Sequence, residues 1–184
     1  MLSRLLAALA AALLLGSSGA FAQPAPLKGL TLTDHRKHSV DAATLAGRPT
    51  LLNFVYTTCS TSCPLQVREL AQVHQALPED VRARVRFLSV TVDPLSDTPA
   101  ALAAYARRME ADRPGWHFAT GEAKQVHALI DRMQALDARD PRPENHRTSL
   151  YLYDAHGQLM KRYAGTPVDR PRLVAEITQV AHMK

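Results

Sequence analysis

Residues 50–56 read TLLNFVY, a compact apolar run rich in strand formers, and the only two cysteines of the chain come directly after it, as Cys59 and Cys63. Pro49 opens the run, and Pro64 stands at the first turn of a pattern in which Val67, Leu70, Ala71, His74 and Leu77 recur with helical spacing. An apolar run bounded by such punctuation predicts a strand covered on both faces, and proline suits the first turn of the helix after it. A chain that starts its core with strand, cysteine loop and helix is committed to an α/β architecture.

The rest of the pattern continues in that register. Residues 85–92 (VRFLSVTV) form a second buried-strand candidate that Asp93-Pro94 halts. Thr98 makes a good N-cap with Pro99 behind it, and Leu102, Tyr105, Ala106 and Met109 supply an apolar stripe. Asp97 reads as part of the capping segment before that helix. Residues 116–119 predict a short strand, and Val126, Leu129, Ile130 and Met133 another helix. The polar stretch 137–145, with Pro141 and Pro143, predicts a loop. Residues 150–153 and 159–163 flank Asp154-Ala155-His156-Gly157 as a hairpin, and Leu173, Val174, Ile177 and Val180 mark a closing helix. Upstream, residues 30–40 give a weak hairpin signal turning at 34–37, and residues 23–26 read as a disordered lead-in. A βαβ half followed by a ββα half is the thioredoxin arrangement. The expected fold is therefore a thioredoxin-like α/β domain, a central mixed sheet with helices on both faces, carrying an N-terminal extension and one extra helix. In that topology the loop after the first core strand meets the loop before the hairpin at one edge of the sheet. Cys59 and Cys63 lie in the first, and His146 ends the second.

Residues 1–22 carry one early cation, Arg4, an apolar stretch over 5–15 and an A-x-A site at Ala20-Phe21-Ala22. They predict a cleaved secretory signal peptide and a single domain over 23–184. The apolar stretch is about half of the ~20 residues that a spanning helix needs. No cysteine stands near the cleavage point to direct lipoprotein processing. The expected location is the periplasm. The charge of +5 is spread along the chain rather than gathered into a run with interleaved aromatics, so no nucleic-acid partner is expected.

Export into an oxidising compartment makes a cysteine pair a disulfide candidate, but a bridge across so short a loop removes little unfolded-state entropy. A structural staple is thus a poor use of the only two cysteines. If the loop winds into a helix between them, residues at i and i+4 share a face, and helix N-terminal N–H groups favour the thiolate. Two thiolates and one imidazole suit Cu(I), and the same set holds Cu(II) with a further ligand. Zinc is chemically open, although structural zinc usually takes four protein ligands. Thiol-disulfide exchange through Cys59 and Cys63 is the alternative from another functional class; the three-residue spacing differs from that of a dedicated thioredoxin. The other histidines fit less well. His74 lies roughly 16 Å further along the same helix at 1.5 Å per residue, and His156 is at the far end of the hairpin.

Three segments, FVYTTCSTSCP at 54–64, SVTVDPLSDTP at 89–99, and His146 eight residues before Asp154, together resemble the Sco/SenC family. The resemblance runs from about Leu27 to the C-terminus. It implies a thioredoxin-like fold, one copper ion held by Cys59, Cys63 and His146, and a role in maturing the binuclear copper (CuA) centre of cytochrome c oxidase subunit II. It also implies thiol-disulfide chemistry on the cysteines of that partner, with other periplasmic copper chaperones or thiol reductants as further partners. Asp93 matches an acidic position of the family just after a strand, where it is expected near the cysteine loop as a modulator of thiol protonation or docking; a plain Asp-Pro turn accounts for it equally well. The chain departs from the family pattern in Ser60-Thr61-Ser62 between the cysteines, in Asn145 before the histidine, and in a leader that reads as cleaved rather than retained as an anchor.

Overall fold

The computed structural model describes residues 25–183. The expected signal peptide over 1–22 and its cleavage point lie outside the described residues. Seven strands form one sheet in the order β2-β1-β5-β4-β3-β6-β7. They are β1 (Thr31–Asp34), β2 (Ser39–Asp41), β3 (Thr50–Val55), β4 (Arg86–Thr91), β5 (Trp116–Thr120), β6 (Leu150–Tyr153) and β7 (Leu159–Tyr163). β3, β4 and β5 run parallel, and β1, β2, β6 and β7 add antiparallel edges. The helices are α1 (Ala42–Leu45), α2 (Ser62–Ala76), α3 (Glu79–Arg84), α4 (Pro99–Arg108), α5 (Ala123–Met133) and α6 (Arg170–Ala181).

Because β3, β4 and β5 advance in one direction across the sheet, right-handed crossovers place α2 and α4 on the same face. α6 packs against α2 there. The connection from β5 to β6 returns the other way and carries α5 over the opposite face, where the Tyr151 hydroxyl of β6 donates to the Met133 carbonyl. Every residue of β3 is buried, as a strand covered on both faces requires. The strands and the four longer helices stand where the sequence pattern puts them.

Three features differ from expectation. α2 starts at Ser62, so Cys63 belongs to the helix rather than to the loop before it. α1 is a single turn fixed by a capping box between Asp41 and Thr44, and α3 is six residues long; neither spans enough turns to show a period. The lead-in is ordered where it is described: Pro26 and Leu27 are buried, and the Arg132 guanidinium donates to the Pro26 carbonyl at 2.7 Å.

His74 occupies a core position on α2, edge-on to Phe87 and 5.1 Å from its ring centroid, with Trp116 at 6.0 Å. Neither ring nitrogen has a hydrogen-bond partner among the described residues. Burial, helped by the charges of Arg113 and Arg82 and opposed by the Pro114 backbone, pushes its pKa down to about 4. The unfolded chain takes up that proton near pH 6.5, so the folded state loses stability as pH falls from there towards 4. The loss from this one group is expected to reach roughly 3 kcal/mol. Urea unfolding at pH 7 and pH 4.5 should show it, and His74→Leu should flatten the difference.

Candidate metal and thiol site

β3 delivers the chain to the site, and one buried carboxylate fixes the start of the cysteine loop. Asp97 is only 1% exposed. It accepts the Thr57 N–H at 3.1 Å, the Thr57 hydroxyl at 2.5 Å and the Thr91 hydroxyl at 2.5 Å. The cysteine loop is thereby tied to the end of β4. The N-cap of α4 is Thr98, whose side chain accepts the Ala101 N–H, so Asp97 clamps the loop instead of capping the helix. Among the described residues the Asp93 carboxylate makes no hydrogen bond; the Asp93 carbonyl closes the turn by accepting the Ser96 and Asp97 N–H groups. The geometry of Asp93 is that of the Asp-Pro turn, and the acidic contact with the cysteine loop belongs to Asp97.

Thr61 stands at the N-cap of α2 without a side-chain cap bond, and the first turn carries no acidic residue. The Cys59 sulfur fills that role by accepting the Cys63 N–H at 3.4 Å, with the Thr61 and Ser62 hydroxyls at 3.9 and 4.0 Å. The hydroxyl-rich linker between the cysteines thus surrounds one sulfur. Burial alone raises the Cys59 pKa, but contacts from the Cys63 thiol, the Cys63 and Thr61 N–H groups and the Tyr56 hydroxyl outweigh it and bring it to about 7. Cys63 is pushed the other way, first by burial and then by its hydrogen bond to Cys59. Both cysteines are free thiols, 6% and 1% exposed.

His146 leaves a short 3-10 turn, Pro143–Asn145, and points its ring at Cys63, with Nε2 3.4 Å from Sγ. Nδ1 lies 3.0 Å from the Pro143 carbonyl, which can only accept, so Nδ1 carries the proton and Nε2 presents its lone pair to the sulfur. Burial lowers the His146 pKa, with the Pro143 carbonyl opposing, and keeps the ring neutral. The Tyr56 ring stands edge-on to it at 5.4 Å. Asn145 pins the turn by donating to the Asp140 carbonyl.

A chain of buried polar groups sets the distance between Cys63 and His146. The Trp116 indole donates to the Ser89 hydroxyl at 3.0 Å, Ser89 donates to Asn53 at 2.7 Å, and Asn53 donates to the Gln66 carbonyl oxygen at 2.9 Å. The Gln66 amide nitrogen then donates to the Thr148 and Gly165 carbonyls at 2.5 and 2.8 Å. Gln66 is three residues past Cys63 and Thr148 two past His146, so one amide joins the segments that carry them. A Cβ on Gly165 would lie 1.4 Å from the Thr148 carbonyl oxygen, so the close approach requires glycine. The one legible trace of Gln66 is a polar residue four before Leu70 on the core-facing stripe of α2.

The structure thus brings Cys59, Cys63 and His146 to one edge of the sheet, with Cys63 and His146 in contact. Among the described residues no group of three His, Cys, Asp or Glu side chains already converges as a metal site, because Cys59 is turned to the helix N–H group. His74, His117 and His35 are engaged elsewhere: in the core, against Asp34 and against Asp112.

The family model described as SCO1/SenC matches residues 23–182. The chain belongs to the SCO1/SenC family. It is 26% identical over 153 residues to a SCO1 homologue of Bacillus subtilis, covering 79% of this chain and 78% of that protein. A Stutzerimonas stutzeri protein named for copper binding is 31% identical over 135 residues, covering 71% and 65%. Among solved structures, a SCO1/SenC family lipoprotein from Bacillus anthracis matches with a TM-score of 0.72 at 25% identity, over 83% of this chain and 92% of that one. Bradyrhizobium japonicum ScoI with copper bound matches with a TM-score of 0.69 at 24% identity, over 82% and 96%. The SCO1/SenC fold is therefore the thioredoxin-like one read from the sequence.

Two outcomes are expected from this geometry. In reduced, metal-free protein, iodoacetamide should modify Cys59 with a midpoint near pH 7 and Cys63 at least about tenfold more slowly, as peptide mass spectrometry would resolve. Gln66→Leu leaves an Asn53 donor and the Thr148 and Gly165 carbonyls unpaired, and should lower the unfolding free energy by about 3 kcal/mol in denaturant titration.

Proposed function

We propose that this SCO1/SenC protein is a periplasmic copper carrier, exported through its leader and cleaved to the domain 23–184. It takes up copper on Cys59, Cys63 and His146 and passes it to an acceptor protein, the CuA centre of cytochrome c oxidase subunit II. The observation that carries the reading is the contact of Cys63 with a histidine whose tautomer aims Nε2 at the sulfur. An ionisable thiol stands one helical turn away. Two sulfurs and an imidazole form a soft donor set that suits Cu(I), and ligand exchange with an incoming thiolate suits delivery. Loading requires Cys59 to leave the Cys63 N–H group for the metal. The copper-binding name of the Stutzerimonas relative and the copper-loaded Bradyrhizobium structure support the same cargo. Among the described residues no helix is long and apolar enough to cross a membrane.

Anaerobic Cu(I) titration of the reduced domain against a competing chelator tests the proposal. One equivalent should bind, and Cys59→Ser, Cys63→Ser and His146→Ala should each weaken it by about a hundredfold or more, beyond the effect of losing an outer-shell contact. A folded, reduced protein that binds no copper would overturn the carrier reading.

The opposite pKa displacements of the two thiols favour a second reading, thiol-disulfide exchange on cysteines of a copper-site partner. The Cys59 thiolate attacks the partner disulfide and Cys63 then displaces the reduced partner, which leaves Cys59–Cys63 oxidised. Cys63→Ser should trap the partner through Cys59 as a mixed disulfide, and failure to trap removes this reading.

A further inference from the structure

The described residues hold four methionines. Met109 and Met133 are 2 and 4% exposed and belong to the core, whereas Met160 and Met183 are 41 and 48% exposed. The two exposed ones line one groove, between β7 and the C-terminal end of α6. Local structure puts both of them there. Lys161 pairs with Leu152 and Leu159 with Tyr153, so Met160 is the extra residue of a bulge in β7. A bulge breaks the alternation of a strand and re-aims a side chain. Here it admits Met160 to the face on which Lys161 and Tyr163 meet Glu176 of α6. Met183 follows the last turn of α6 and is held by its N–H on the Val180 carbonyl at 3.2 Å.

The groove offers soft donors and no hard ones. Its floor is apolar, with Leu152 and Val180 at 1 and 7% exposure. Glu176, the one carboxylate among the described residues lining it, is committed to Lys161, the Tyr163 hydroxyl and Arg172. A divalent oxygen-seeking ion therefore finds no free ligand, and two cations repel it. His182, beside Met183, has Nδ1 on the Thr178 carbonyl and Nε2 3.4 Å from Asp80 of α3, so it brings no imidazole to the groove. Two thioether sulfurs remain. They are neutral, polarizable donors that select Cu(I), and each stands on an unbranched side chain with three rotatable bonds, which lets both close on one ion.

We propose that Met160 and Met183 form a second, thioether site for Cu(I) in the groove between β7 and α6. The inference goes beyond the carrier reading and does not depend on it. Leu152 lies across from Lys161 on one side and from Leu51, near the start of β3, on the other. The cysteine loop follows the far end of β3 at Val55, so the two sites stand at opposite ends of the strands. Thioethers bind without releasing a proton and do not pair as disulfides, so this site keeps its ligands when Cys59 and Cys63 are oxidised. Neutral sulfurs hold Cu(I) less tightly than thiolates, so a competing chelator strips this site and reports the other alone.

The test uses the mature chain with 13C-labelled methionine methyl groups, carrying Cys59→Ser and Cys63→Ser together to remove the thiols, and titrated anaerobically with Cu(I) without a chelator. One equivalent should move the Met160 and Met183 methyl resonances and leave those of Met109 and Met133 in place, which also shows that the core is intact. Two equivalents should move the same pair in the unaltered reduced chain. Met160→Leu and Met183→Leu should each weaken binding by more than the roughly tenfold that loss of an outer-shell partner costs. Zn(II) should move neither resonance. Cu(I) that leaves all four resonances unmoved would overturn the site, and so would a shift of one methionine alone. Affinity that survives both leucine substitutions would do the same, by placing the metal on other surface groups, as would Zn(II) moving the same pair. Because the thiols are absent from the main titration, its failure and the failure of the carrier reading are separate results.

Discussion

The Gln66 amide has to be satisfied inside the protein, and the only groups it meets among the described residues are Asn53 on one side and the Thr148 and Gly165 carbonyls on the other. A buried amide left unpaired costs on the order of 1–3 kcal/mol per group. The fold therefore has a strong preference for the one arrangement in which α2, the segment after His146 and the segment after β7 come together. Cys63 rides on the first of these and His146 on the second. Their contact results from a hydrogen-bond requirement beneath the surface, and the same chain runs on through Ser89 to Trp116 in the centre of the sheet.

Around that fixed point the two sulfurs are made unlike. Cys59 stands at the N-terminus of α2, where N–H groups and hydroxyls draw out a thiolate, and Cys63 lies a turn deeper, where burial favours the thiol. A neutral imidazole with its proton committed to the Pro143 carbonyl completes the set. The combination is compatible with a reduced resting state that accepts a soft cation, and it is also the asymmetry that disulfide exchange needs. The proposed metal transfer and the proposed thiol chemistry would thus draw on one local electrostatic design rather than on separate sites.

Much of this was legible in the sequence because its largest elements obey simple periods. β3 and β4 announce themselves as apolar runs, and α2, α4, α5 and α6 as stripes. The element order then brings Cys59, Cys63 and His146 to one edge. The features that stayed hidden have no period. α1 and α3 are too short to show one. Ala25-Pro26 looks like lead-in because only the fold reveals that Arg132 reaches its carbonyl. Asp97, next to the true cap Thr98, reads as a capping residue until the structure shows Thr57 and Thr91 donating to it. Asp93, four residues earlier, reads from the sequence equally as a contact with the loop and as a plain Asp-Pro turn, and its carbonyl closes that turn while the Asp97 side chain is the one directed inward. Gln66 left only a polar residue on an apolar stripe, whose partners lie 82 and 99 residues away.

The central claim is that one copper ion is held by two sulfurs and one imidazole nitrogen, drawn from the cysteine loop, the first turn of α2 and the segment before β6. X-ray absorption at the copper edge of the Cu(I)-loaded domain measures it most directly. Two sulfur scatterers and one nitrogen are predicted, with the imidazole multiple-scattering signal absent in His146→Ala. A sulfur-only shell, or an imidazole signal that survives the loss of His146, would contradict it.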